Sequence, residues 1–321
     1  MRARYWLLLG LATLVLQQLW ANTATAHAHG GVDPGQSVLS AWNPNPLPSL
    51  GVFLAAYLYV TGMGRWVRPS HPASRWQKVS FFTGLLVIFL ALQSPLDPLS
   101  DHYFFIHQFQ HLLLRMVGPL LVLLGAPLTP MLRGLPPWAL RGVVRPLVGN
   151  PQVRQLYQRL TNPVFTTMLF MGLLYLWQVP TLQNLVVRNS LVHGTMHFTM
   201  LFSGFLFWWL VIDPKPHRSR LHYGLRVLYL GVIVIPNTLL GASITFSSQV
   251  LYPAYTELEQ PFALSHLIDQ QLGGLILWVA GDMMSILAAG IVMMLWYQRE
   301  MEQERAQQLK AVPGDATPSQ R

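Results

Sequence analysis

Two short stretches of this chain carry imidazoles at a spacing that suits chelation. His107 and His111 are four residues apart in the run His107-Gln108-Phe109-Gln110-His111, and His193 and His197 repeat that interval in His193-Gly194-Thr195-Met196-His197. On a helix, residues four apart lie on one face, one turn from each other. Two imidazoles so placed can grip one ion, as in the zinc-binding helices of metalloproteases. A third imidazole, His266, stands three residues before Asp269. His107, His111, His193 and His197 are therefore candidate metal ligands, with His266 and Asp269 beside them. Imidazole serves copper, zinc and haem iron, and the spacing does not choose among them. Asp101, Gln110 and Asp269 are candidates to hold the far imidazole nitrogens. The chain contains no cysteine, which removes disulfides, thiolate zinc sites and thiol redox chemistry.

The elements that must position these residues are membrane helices. Hydrophobic residues make up 52% of the chain and charged residues 10%, against roughly 25% charged in an average soluble domain. The charges crowd into gaps between long apolar runs. Seven runs reach the roughly 20 residues needed to cross a bilayer. They lie near Pro48–Val67, Val79–Leu96, Phe104–Leu124, Pro163–Pro180, Leu191–Ile212, Gly224–Phe246 and Leu272–Tyr297. The expected fold class is all-α, a polytopic transmembrane bundle of seven spans. Gly118-Pro119 and Pro236-Asn237 predict kinks, because proline removes one backbone hydrogen bond.

Ahead of the spans, Arg2 and Arg4 precede an apolar run that ends in Ala24-Thr25-Ala26. This pattern predicts an export signal over residues 1–26, either cleaved or retained as a first helix. Cleavage after Ala26 exposes His27-Ala28-His29, a terminus that can wrap Cu(II) through amine, amides and imidazole, or else a spare end. The remaining divisions are an outer segment over 27–47, the seven-helix domain over 48–298 and a tail over 299–321.

Loop charges set the direction. Arg65, Arg68, Arg75 and Lys78 fill the first loop, Arg133, Arg141, Arg145, Arg154 and Arg159 the third, Lys215, Arg218 and Arg220 the fifth, and Arg299, Arg305 and Lys310 the tail. The alternate loops hold Asp97, Asp101, Glu257, Glu259 and Asp269, with Arg188 as their one base. By the positive-inside rule the basic loops are cytoplasmic and the mature N-terminus lies outside. In a bacterial cell that means the inner membrane, with both histidine pairs at the periplasmic ends of their helices. This arrangement absorbs most of the +9 net charge, so a nucleic-acid partner is not needed. The lipid bilayer is the partner required, and self-association into a homo-oligomer is left open.

Two charges fall inside spans. Arg115 and Asp282 sit about 16 Å and about 18 Å along their helices, which predicts an ion pair. Met196 and Met200 lie by the fifth-span histidines, Met116 one turn below His111, and Met283 and Met284 in the seventh span; thioether sulfur suits Cu(I), but methionine is also an ordinary core filler.

Several motifs together resemble the CtaG family of membrane proteins linked to cytochrome c oxidase assembly and copper delivery. They are Ser94-Pro95-Leu96-Asp97, His107 through Leu114, Pro119-Leu120, Gly125-Ala126-Pro127, His193 and His197 followed by Gly204 and Trp208-Trp209, Gly241, and Asp269 through Gly274 with Trp278. The likeness covers about Gly51 to Tyr297. It implies a seven-span, non-catalytic factor that helps copper reach the oxidase, receiving it from a periplasmic chaperone or passing it to an oxidase subunit. Arg115 departs from the family pattern, which often has an apolar residue there. On this reading the outer helix ends form a shallow cup with little enclosure, suited to ligand exchange. Three other readings stand beside it: a b-type haem protein with one axial histidine per helix, a copper transporter with polar groups continuing across the membrane, and a metallohydrolase, for which no glutamate follows the first histidine of either pair.

Overall fold

The computed structural model describes Trp42 and residues 45–65, 73–212, 221–258 and 260–311. The expected export signal, His27 and His29, the loop bases Arg68, Lys215, Arg218 and Arg220, Glu259 and the end of the tail lie outside these residues.

The described chain is helical. The helices that matter for the site are α1 (Pro46–Gly64), α2 (Arg75–Gln93), α3 (Leu96–His102), α4 (Phe104–Leu112), α5 (Gly118–Leu124) and α6 (Leu128–Gly134) in the first half. In the second half they are α7 (Pro151–Leu160), α8 (Pro163–Trp177), α9 (Pro180–Arg188), α10 (Ser190–Val211), α11 (Tyr223–Thr245), α12 (His266–Leu275) and α13 (Gly281–Ala311). A π-helical turn, Leu113–Val117, joins α4 to α5, and another, Ile276–Ala280, joins α12 to α13. Many ends carry recognisable signals. Asn45, Ser74, Asn150, Asn162 and Asn189 accept backbone N–H bonds as N-caps, and Ser74 completes a capping box with Gln77.

This is a multi-pass membrane protein by length and hydropathy. Five helices are long and apolar enough to cross: α1, α2, α10, α11 and the continuous run His266–Arg305. The expected third and fourth spans arrive as bent pairs instead. Phe104–Leu124 turns by 77° into α6, and α7 turns by 64° into α8. Seven spans result if each bent pair is one crossing. The third-loop bases Arg133, Arg154 and Arg159 thus lie on helical segments rather than on a plain connection. Arg65 closes the first bend: its guanidinium donates to the carbonyls of Arg133, Gly134 and Leu135 at 2.8–3.1 Å, filling the C-terminal acceptors of α6.

The proline at 119 is accommodated rather than merely kinking the helix. Pro119 has no N–H for the Arg115 carbonyl four residues back. The Trp208 indole Nε1 on α10 donates to that carbonyl at 3.2 Å. It can do so because α10 approaches the π turn backbone to backbone at Gly204, where a Cβ would stand 2.5 Å from the Arg115 oxygen. Around this crossing lies the main core of Met116, Phe170, Met196, Met200, Phe207 and Trp208. Met116, Met196 and Met200 therefore serve as packing.

The expected Arg115–Asp282 pair does not form. Arg115 donates to the Phe170 carbonyl at 3.0 Å and its guanidinium lies 3.6 Å above the Phe170 ring. Asp282 accepts from Asn237 at 2.9 Å and Thr238 at 2.6 Å. Matching depth along two helices does not fix facing direction, and each charge finds neutral partners on the helix beside it. Exchanging the two charges in one double variant is therefore expected to fold no better than the single changes. A second expectation concerns the crossing. Gly204→Val drives a side chain into backbone that cannot yield, and should lower stability by about 1–3 kcal/mol or more. Gly194→Ala, with nothing within 4 Å of the added carbon, should be tolerated. Thermal melts followed by intrinsic tryptophan fluorescence compare the two.

Candidate metal centre

α4 and α10 bring both histidine pairs together. Ring centroids stand 4.5 Å apart for His107 and His111, 4.3 Å for His193 and His197, 5.2 Å for His107 and His193, 5.8 Å for His107 and His197, and 5.7 Å for His111 and His197. The stripe on each helix explains this. His107, His111 and Arg115 follow one another at single-turn intervals on α4 and its π turn. His193, His197 and Gly204 run along the face of α10 turned toward them. Close approach at Gly204 draws the two helices together below the imidazoles.

The cluster is enclosed. His107, His111 and His197 are 1%, 3% and 6% exposed, while His193 is half-buried at the rim. This corrects the expectation of a shallow cup. Two elements without the length of a span close over it. α3 brings Asp101 to 3.4 Å from His193 Nδ1. The 3-10 turn Pro253–Thr256 brings Tyr255, whose hydroxyl sits 2.8 Å from His107 Nδ1 and accepts from Gln183 at 3.0 Å. Burial holds the Tyr255 phenol well above its ordinary pKa, so it stays protonated. Burial, then the neighbouring Asp97, pushes the Asp101 carboxyl up to about 8.

The nitrogen accounting is unusual. His107 Nε2, both nitrogens of His111 and His197 Nε2 are buried with no hydrogen-bond partner in the protein. Buried polar atoms are nearly always satisfied, and each exception costs about 1–3 kcal/mol. These exceptions converge. His107, His111 and His197 each offer a donor atom within 4.8 Å of the others, and so do Asp97, His193 and His197. In the tautomer whose Nδ1–H donates to Tyr255, His107 turns a bare Nε2 toward the other rings, as metal binding through Nε2 requires. The donor set of neutral imidazoles with an adjacent carboxylate fits a copper or zinc ion.

The other expected residues fall elsewhere. Asp269 accepts from the Phe104 and Phe105 amides, both at 2.9 Å, and so caps α4. Gly273, one turn further along α12, lets the Phe104 ring pack against the helix backbone. Half-buried His266 faces Gln260 at 3.2 Å. Neither His266 nor Asp269 belongs to the groups of three or more convergent ligands among the described residues. Asp269 thus positions the first histidine helix. Gln110 donates to Asp97 at 2.9 Å and to the Ala91 carbonyl at 2.7 Å rather than to an imidazole. Sequence reasoning missed Tyr255, Gln183 and the place of Asp97 beside His193 and His197. The first two carry no local motif. Asp97 carried one signal, its place in a Ser-Pro-Leu-Asp turn at the mouth of the histidine helix.

A family model described as cytochrome c oxidase caa3 assembly factor (Caa3_CtaG) matches residues 57–299. The chain belongs to the Caa3_CtaG family. Its factors are named for a role in oxidase assembly and not for a reaction they catalyse. Among curated proteins, an uncharacterized protein of Mycobacterium bovis and one of Mycobacterium tuberculosis are each 27% identical over 273 residues. One of Mycobacterium leprae is 24% identical over 276 residues. The matches cover 82%, 82% and 81% of this chain but 40% of each relative's length. No solved structure matches.

The unmet nitrogens carry a stability consequence. In metal-free protein, His111→Leu removes two unsatisfied buried atoms at nearly constant volume. The variant is expected to melt at the same temperature as wild type or above it. Asp269→Ala, which strips two amides of their cap, is expected to cost roughly 0.5–2 kcal/mol in the same assay.

Proposed function

We propose that this CtaG-family protein is a copper carrier of oxidase assembly. It takes one copper ion at the periplasmic end of its bundle in the inner membrane and yields it to a subunit of cytochrome c oxidase. A periplasmic copper chaperone is the natural donor. The observation that carries this reading is the meeting of four imidazoles from two helices around buried nitrogens that nothing in the protein satisfies. The family supports the oxidase, and the all-nitrogen and carboxylate donors support a divalent ion. Copper binds such donors more tightly than zinc. The alternation of basic and acidic loops supports the orientation. The chain's own residues do the following work: Tyr255 and Gln183 fix His107, Asp101 holds His193, and Asp269 fixes the start of α4.

The rival readings fit less well. A haem would need a slot between α4 and α10, but the imidazole rings there pack directly on one another, and the cavity beneath is about 30 Å³, room for a water or two. A transporter needs polar groups continuing inward. One turn below His111 the path instead meets the Arg115 guanidinium stacked on Phe170, a positive charge that opposes further movement of a cation.

Metal analysis of purified full-length protein tests the proposal. After dialysis against a chelator, wild type should retain about one copper per chain, and both His107→Ala/His111→Ala, left with the rim residues alone, and His193→Ala/His197→Ala should retain none. Equal copper in wild type and both double variants would end this reading. Copper uptake into sealed vesicles should be absent in all of them.

A further inference from the structure

His197 belongs to two different ligand groups. With His107 and His111 it forms a buried set, and with Asp97 and His193 it forms a second set whose other two members are half-buried. Donor atoms on one ion with bonds of about 2.0–2.1 Å stand at most about 4.2 Å apart. Within each set the donors lie inside 4.8 Å of one another, so small side-chain rotations close either set. The groups therefore describe two neighbouring positions with one imidazole in common.

The positions differ in chemistry and access. The rim set carries a carboxylate, an anionic oxygen that attracts a hydrated divalent ion and replaces part of its water shell. Gln110 keeps that carboxylate in place through its 2.9 Å bond, and Asp101 sits beside His193. The inner set is three neutral imidazoles, without solvent contact and bounded below by Arg115. The rim set is the less buried of the two and adjoins the inner set through His197.

Resting on the copper reading above, we propose that the site is a two-position relay that turns on His197. Copper(II) is captured by Asp97, His193 and His197. It then moves inward as Asp97 and His193 release it and His107 Nε2 and a His111 nitrogen take their places, while His197 stays bound throughout. Two metal–ligand bonds break and two form. No electron moves, and no proton need move, because each incoming imidazole is neutral and binds through its unprotonated nitrogen. Release to an acceptor runs the same exchange in reverse, with the rim exposed for the partner's ligands.

The test uses full-length protein in lipid nanodiscs, Cu(II) as probe, stopped-flow absorbance for association and electron paramagnetic resonance for the ligands. Asp97→Asn should slow association about tenfold or more, while the final state keeps one copper and the nitrogen hyperfine pattern of wild type. His111→Ala should keep fast association but stop at a state with mixed nitrogen and oxygen coordination. His197→Ala should abolish both states. Tryptophan-fluorescence melts confirm that each variant is folded, and His193→Ala replaces Asp97→Asn if the latter is not. If wild type and Asp97→Asn associate at the same rate, or if His111→Ala binds with the wild-type spectrum, the relay is wrong and copper binding stands. If wild type binds no Cu(II), both the relay and the copper reading fall.

Discussion

The rest of the structure is organised around a stability debt at its centre, the burial of imidazoles whose nitrogens the protein leaves unsatisfied. Four such atoms on His107, His111 and His197 represent roughly 4–12 kcal/mol of lost solvation. That is comparable to the whole net stability of an ordinary domain, about 5–15 kcal/mol. Nothing in an apolar bundle would retain such a cluster for packing, since leucine or phenylalanine would fill the same space without the penalty. The surrounding features make sense as supports that keep the rings where they are. Asp269 caps α4, Gly204 admits α10, Trp208 takes the carbonyl that Pro119 orphans, and Tyr255 orders one ring.

Much of this was legible in the sequence. Apolar run lengths gave the helices, and the four-residue spacing gave each pair of histidines a common face. Both properties are local, and period and length read them directly. The convergence of the two pairs is a tertiary fact, yet it was foreseeable because charge alternation put both pairs at one end of the bundle. What sequence could not supply was direction around the helix axis across different elements. Arg115 and Asp282 have matching depth and still point to different neighbours. Asp269 lies near the histidines in depth but turns its oxygens to backbone amides. Tyr255, Gln183 and Asp97 come from a 3-10 turn, a short amphipathic helix and the first turn of the seven-residue helix α3, where no long hydrophobic period marks the facing residue. The two bent pairs were missed for a related reason. Hydropathy measures apolar length and is blind to a turn of 77° or 64° between two apolar pieces.

Enclosure alters the chemistry that the site can support. An open cup would exchange ligands freely but would also share its copper with every other ligand in solution. A sealed site would hold copper well and deliver it poorly. This cluster grades between the two across a single imidazole. His193 and the aspartates at the rim are half-buried, while His107 and His111 sit where water is excluded and a bound ion would interact more strongly with them. The order of charge along the bundle axis reinforces that gradient: the Asp97 carboxylate lies outermost beside the largely protonated Asp101, neutral imidazoles come next, and the guanidinium of Arg115 lies innermost. A cation descending this sequence is first attracted, then held, then repelled. On the proposed copper reading the energy minimum would fall at the imidazoles. A bundle built to pass copper through the membrane would reverse the last step and place anionic or carbonyl oxygen below the histidines. Arg115, stacked on Phe170 and donating to its carbonyl, puts a positive charge below the histidines, which fits the proposed carrier better than a channel.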